Sequence, residues 1–297
     1  MLEGFVPFPA DYSKRYRERG YWQDRSLAQE FAAVFEKFAT RTALIDGERR
    51  YTYADIDAQS DNLALNLQAL GLKPLDRVVP TLPNVAEFVI LYFALQKLGC
   101  IPIAALVTHR FAEINQFVQL SQARCCVYPA SSGDFQFAPI IERVQAENPS
   151  LQLRLVLGKA GPGEHSLNEL IERPATQPRS TLRNIAIDPS DPCIFQLSGG
   201  TTGIPKLIPR TNNDYAYNSK IASTCRARIR CCTAAWPPWS PGPAPPDRRR
   251  RPRRRTRRAP RPQTWRPSRA SSRSQGLRDT GLVIRSRSGC PDSSAGR

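Results

Sequence analysis

From Ser26 to Leu197 short apolar runs alternate with amphipathic stretches of roughly ten residues, a rhythm that restricts the possible architectures more than any other feature. Ser26 and Gln29 make a capping-box pair ahead of Leu27, Phe31, Val34, Phe35 and Phe38 on one helical face. Ala43-Leu44-Ile45, an Asp46-Gly47 turn and Tyr51-Thr52-Tyr53 read as a hairpin. Thr52 and Asp55 open a second helix, with Ile56, Leu63, Leu67 and Leu70 inward and Gly71 at its end. Strand-like runs at 77–79, 100–103, 125–128, 153–157 and 193–195 are separated by helical patterns near 84–98, 113–121, 140–147 and 167–171. This alternation predicts an α/β domain whose largely parallel sheet is covered by helices. Residues 174–189 read as a connecting loop.

The rhythm stops near Cys225. Residues 226–297 contain no Phe, Tyr, Lys, Glu, Asn or Met, and 31 of these 72 residues are Arg or Pro. Too little apolar surface is available there to offset chain entropy, so disorder is expected. The formal charge of +17 also resides in this segment, with 20 Arg against Asp247, Asp279 and Asp292, whereas residues 1–225 carry 23 basic and 23 acidic side chains. The body thus has no nucleic-acid footprint of its own. The tail's mixture of Arg, Pro, Ala, Ser, Gly and Trp is that of GC-rich DNA read out of frame. The alternatives are a basic tail contacting nucleic acid non-specifically through phosphates, and an unusual linker.

No secretory signal is read in residues 1–20, where Glu3, Asp11 and Glu18 interrupt any apolar core. No run approaches the ~20 apolar residues of a membrane span. The eight cysteines include no C-x-x-C pair, and Cys100, Cys125, Cys126 and Cys193 lie in apolar runs. They read as small buried hydrophobes in a reducing cytoplasm, with neither a metal site nor disulfides expected.

The segment that carries chemistry is Ser198-Gly199-Gly200-Thr201-Thr202-Gly203-Ile204-Pro205-Lys206, directly after the last strand run. Glycines allow close approach of backbone N–H groups, hydroxyls donate to oxyanions, and lysine adds a mobile positive charge. Such a set suits a polyphosphate. It is not a Walker A loop, because Ile204-Pro205 precede the lysine and Leu207 follows it.

The ordered run Ser-Gly-Gly-Thr-Thr-Gly-x-Pro-Lys resembles the phosphate-binding motif of the adenylate-forming superfamily, which includes acyl-CoA synthetases and peptide-synthetase adenylation domains. Its continuation through residues 207–217 is similar to the aryl-acid branch, especially 2,3-dihydroxybenzoate–AMP ligases of catechol siderophore synthesis. So are Phe5-Val6-Pro7-Phe8-Pro9, the run from Arg15 to Trp22, Leu82-Pro83-Asn84 and the run from Lys97 to Pro102. The resemblance covers residues 1–225. It implies a partial N-terminal adenylation (AMP-binding) domain, the front of the large domain of that superfamily, followed by the Arg/Pro-rich tail at 226–297.

The resemblance also implies a reaction. An aryl carboxylate attacks the α-phosphate of ATP, pyrophosphate leaves, and the acyl group passes to the phosphopantetheine thiol of an aryl carrier protein. Ser198, Thr201 and Thr202 would contact the β- and γ-phosphates, Gly199, Gly200 and Gly203 would supply close backbone approach, and Lys206 would stabilise the loop. Mg²⁺ would accompany ATP. The family's aryl-pocket segment, adenine and ribose contacts, Mg²⁺-associated Glu and C-terminal catalytic lysine cannot be read after Cys225. The expectation is therefore a truncated, inactive chain without a catalytic residue. 2,3-Dihydroxybenzoate is the implied substrate, with salicylate second.

Other candidates have structural readings. His109-Arg110 suits loop capping, His165 suits an exposed loop, Tyr215 and Tyr217 suit packing, and Asp214 suits a helix cap.

Overall fold

The computed structural model describes residues 2, 4–198 and 205–233, with only the backbone described for 225–233. The 234–297 part of the tail, and the side chains of Cys225, Cys231, Cys232 and Cys290, lie outside the described residues. A boundary between compact units falls between Ala222 and Ser223.

Helices α1 (Ala10–Glu18) and α2 (Leu27–Lys37) precede a hairpin of β1 (Thr42–Asp46) and β2 (Arg49–Thr52). Then come α3 (Tyr53–Ala69), β3 (Arg77–Pro80), α4 (Ala86–Leu98), β4 (Ile101–Pro102), α5 (Phe111–Ser121) and β5 (Cys125–Pro129). A small hairpin, β6 (Ser131–Ser132) with β7 (Phe135–Gln136), leads to α6 (Ala138–Glu147), β8 (Leu153–Leu157), β9 (His165–Ser166) and α7 (Leu167–Glu172). The segment expected to be a plain loop contains a one-turn helix, α8 (Ser180–Arg183). Finally β10 (Pro192–Leu197) and β11 (Leu207–Thr211) form a hairpin that runs into α9 (Asn212–Thr233).

Both expected capping boxes form. Gln29 N donates to the Ser26 hydroxyl at 3.3 Å while Ser26 N donates to the Gln29 side chain at 3.0 Å. Thr52 and Asp55 exchange the equivalent bonds at 3.1 and 2.8 Å. Helix α4 ends where Gly99 takes a φ of 70°, and a Cβ there would meet the Ile187 side chain at 3.1 Å. On α2 the buried positions are Leu27 and Phe35, while Val34, expected inward, is exposed.

The main sheet is wholly parallel, in the order β4-β3-β5-β8-β9. Successive strand residues alternate between two cores. Val78, Cys125, Val127 and Leu155 pack with α3, α4 and α7 on one face, and Val79, Cys126, Tyr128 and Val156 with α5 and α6 on the other. Burial on both faces explains why these strands read as continuous apolar runs. The step from β3 to β4 places α4 on the first face, and the reversed steps to β5 and β8 place α5 and α6 on the second. That change of face is what right-handed crossovers require when the strand order turns back.

One strand departs from the simple alternation. β10 pairs antiparallel with β11, and meets the main sheet through a single parallel bridge, Ile103 to Phe195. Phe195, Leu197 and Leu207 add to the second core.

Candidate functional site

Because β10 runs parallel to β4, the chain leaves it at the edge where the parallel strands have their carboxyl ends. Open α/β sheets bind ligands at that edge. The β10–β11 register places Leu197 opposite Leu207, so Ser198 and Lys206 form the neck of the glycine loop. Ser198 N donates to the Lys206 carbonyl at 3.0 Å, and Lys206 N donates to the Ser198 hydroxyl oxygen at 2.8 Å. These two expected site residues are brought together. Gly199, Gly200, Thr201, Thr202 and Gly203 lie outside the described residues.

The neck fits an anion. The Ser198 oxygen accepts from Lys206 N, and that bond does not use its own hydroxyl hydrogen, which can donate to another acceptor. The Lys206 side chain is exposed, with no acidic partner among the described residues. A charge-assisted contact between this ammonium and phosphate oxygens therefore needs no internal ion pair to be broken. Among the described residues, no group of three His, Cys, Asp or Glu side chains is placed to hold a metal ion.

At the opposite end of the hairpin, Thr211, Asn212 and Asn213 are 2, 3 and 3% exposed. Leu27 N, at the start of α2, donates to Asn212 Oδ1 at 3.0 Å, while Asn212 Nδ2 donates to the Asp191 carbonyl at 3.2 Å. Asn213 Oδ1 accepts from Asp24 N at 3.0 Å, and Asn213 Nδ2 donates to Asp24 Oδ1 at 2.8 Å. Sequence reasoning missed this arrangement. The available signal was two consecutive Asn where one helix cap suffices.

The cap of α9 also differs from expectation. Thr211 Oγ1 accepts from Asp214 N at 3.2 Å, so Thr211 is the capping side chain. Asp214 instead pairs with Arg210, whose guanidinium also reaches Gln196 Oε1 at 3.3 Å. Tyr215 packs against Leu27, Cys193 and Ile194, and Tyr217 stacks on Tyr21 with ring centroids 4.7 Å apart. Both tyrosines are thus packing residues.

His109 caps its loop as expected. Its Nδ1 accepts from Leu106 N at 3.1 Å, and burial pushes its pKa below the usual 6.5, favouring the neutral ring that such acceptance needs. Arg110 binds the carbonyls of Val107 and His109 and lies 3.8 Å from the Phe135 ring centroid. His165 is exposed, but on edge strand β9, paired with Leu155. Cys100, Cys125, Cys126 and Cys193 are buried and free, and burial pushes the Cys126 thiol up to about 12. Among the described residues, no helix is long and apolar enough to cross a membrane.

Comparison with known proteins places the chain in a family. Residues 31–235 match the AMP-binding enzymes, so the chain belongs to that adenylate-forming family. Its relatives include aryl-acid adenylating enzymes. It is 35% identical over 220 residues to the 2,3-dihydroxybenzoate-AMP ligase of Bacillus subtilis, covering 74% of this chain and 39% of that protein. It is 37% identical over 231 residues to the salicyl-AMP ligase / salicyl-S-ArCP synthetase of Mycobacterium tuberculosis, covering 76% and 40%. Among solved structures, apo Mycobacterium smegmatis MbtA superimposes with a TM-score of 0.66 at 37% identity, covering 72% and 39%. The chain therefore spans about two fifths of the length of the relatives it matches.

Proposed function

We propose that residues 198–206 hold the β- and γ-phosphates of Mg·ATP, and that the parent activity is activation of an aryl acid as its acyl-adenylate. The carrying observation is the Ser198–Lys206 neck, which is closed through the Lys206 main chain and so does not use its exposed ammonium. In this reading Ser198, Thr201 and Thr202 donate hydroxyl hydrogen bonds, Gly199, Gly200 and Gly203 admit the phosphates to the backbone, and Lys206 supplies positive charge. ATP supplies the adenylyl group and the pyrophosphate leaving group. The protein's work is to position and to stabilise phosphate charge.

The substrate proposed is 2,3-dihydroxybenzoate, with transfer to an aryl carrier protein in catechol siderophore synthesis. Salicylate is the second reading, favoured by the mycobacterial relative at comparable identity. Four buried, free cysteines support a reducing cytoplasm as the location.

The test is titration with a fluorescent ATP analogue and Mg²⁺, alongside aryl-acid-dependent ATP–pyrophosphate exchange. Binding weakened by Lys206→Ala supports the reading. Failure of the unaltered chain to bind nucleotide overturns the phosphate-loop assignment. Where exchange rises above background, its preference between the two acids identifies the substrate.

A further inference from the structure

We propose that Asp24 and Asn213, with Asn212 beside them, form a latch through which the segment between α1 and α2 positions the Ser198–Lys206 neck. The inference rests on the phosphate-loop reading only for its functional meaning, because the latch itself is a matter of geometry.

The hairpin that presents the loop has weak backbone ties to the rest of the fold. β10 joins the parallel sheet by one bridge, Ile103 to Phe195. Its orientation must come from side chains and from its base. Gln96 Nε2 on α4 donates to the Cys193 carbonyl at 2.9 Å, and Cys193 and Ile194 pack on Leu27. At the base, Asn212 N and Asn213 N donate to the carbonyls of Asp191 and Pro189 at 3.2 and 3.0 Å. Their side chains then reach across to Leu27 and Asp24, and both are almost fully buried. A buried amide with its partners removed would leave unpaired donors and acceptors, so this contact has one low-energy arrangement.

Asp24 is shaped for the role. It adopts a φ of 50°, a conformation that Asp and Asn tolerate better than most residues, which aims its N–H and carboxylate together at Asn213. Arg17 Nε donates to both oxygens of the same carboxylate, at 2.8 Å to Oδ2 and 3.1 Å to Oδ1. β11 then spans only Leu207–Thr211 between this base and the Lys206 neck, so a shift at one end is carried to the other along a short, paired strand.

The test uses the full chain and amide hydrogen exchange resolved at Ser198 and Lys206. Asn213→Asp opposes two carboxylates, whereas Asp24→Asn combined with Asn213→Asp restores a donor–acceptor pair with the roles exchanged. We expect exchange at the two neck amides to rise about tenfold in Asn213→Asp and to return in the double variant, while Val127 in β5 stays protected in both. Asp24→Gly suits the positive φ and removes only the side-chain half of the latch, so it gives a smaller increase, about threefold. It decides the matter if Asn213→Asp does not fold. Unchanged neck exchange in the folded variants, or a rise that extends equally to Val127, overturns the latch. Affinity for the fluorescent ATP analogue should fall and recover in parallel. If the unaltered chain binds no nucleotide the phosphate reading fails, and the exchange pattern still decides the latch.

Discussion

Ser198 and Lys206 close the glycine loop on itself: the N–H of each donates to the other residue, at 3.0 Å to the Lys206 carbonyl and 2.8 Å to the Ser198 hydroxyl oxygen. The arrangement separates two tasks within one residue. Main-chain Lys206 shapes the neck, while its exposed ammonium stays available to a ligand.

That separation predicts different consequences for two substitutions. Lys206→Ala keeps both neck bonds and should leave the thermal midpoint nearly unchanged while weakening nucleotide binding about tenfold, the loss of one charge-assisted contact. Ser198→Ala removes the acceptor of Lys206 N–H and should lower stability by about 1 kcal/mol as well as weaken binding. Paired melting curves and titrations of the two variants check this. Equal melting shifts would contradict the division of roles.

Lys97 on α4 is 8% exposed, and its ammonium meets Asp57 at 2.7 Å, the Ser60 hydroxyl at 2.8 Å and Asp61 on α3. Arg179 covers the same two carboxylates from the segment that was expected to be a plain loop. Lys97→Met should cost about 3 kcal/mol, because it removes the buried cation of Asp57 and Asp61 and leaves them only the exposed Arg179. Arg179→Ala, at an exposed position, should cost about 1 kcal/mol or less. Denaturant unfolding in low salt measures both, and a milder loss at Lys97 than at Arg179 would sink the ranking.

Asp55 accepts hydrogen bonds from the backbone N–H and hydroxyl of Thr52, backbone first in effect, which holds its carboxyl below the ordinary 3.8. A depressed folded-state pKa contributes stability that is complete above 3.8 and lost as pH falls through the lower folded value. Asp55→Ala should therefore be less stable than the unaltered chain by about 1 kcal/mol near neutrality. The difference should shrink only below pH 3.8. Urea midpoints measured from pH 7 down to about 3 follow this window. A gap that closes already near pH 6 would refute the assignment.

Cys100, Cys125, Cys126 and Cys193 should resist alkylation in the folded protein and react together on unfolding, since burial both shields them and raises their thiol pKa values. Peptide mapping after iodoacetamide treatment, with and without urea, gives the count. Labelling of Cys126 in native buffer would show that the second core is open.

Much of the fold was legible because it rests on neighbours in the chain. The Ser26–Gln29 and Thr52–Asp55 caps, the stop at Gly99 and the alternation of strand and helix all arise within a few residues, where local geometry governs. Family membership was legible for the same reason, since the glycine motif is one contiguous run. Contacts between distant segments were not. Asp24 and Asn213 lie 189 positions apart, and Arg179 lies 122 from Asp57, so no periodicity links them. The antiparallel turn of β11 onto β10, the cap at Thr211 in place of Asp214 and the exposure of Val34 likewise depend on which surface happens to be nearby. The sequence by itself determined the main alternation of strand and helix and the family. Only the tertiary structure decided how the hairpin holding that loop is anchored, because burial and side-chain pairing exist only after the chain has folded back on itself.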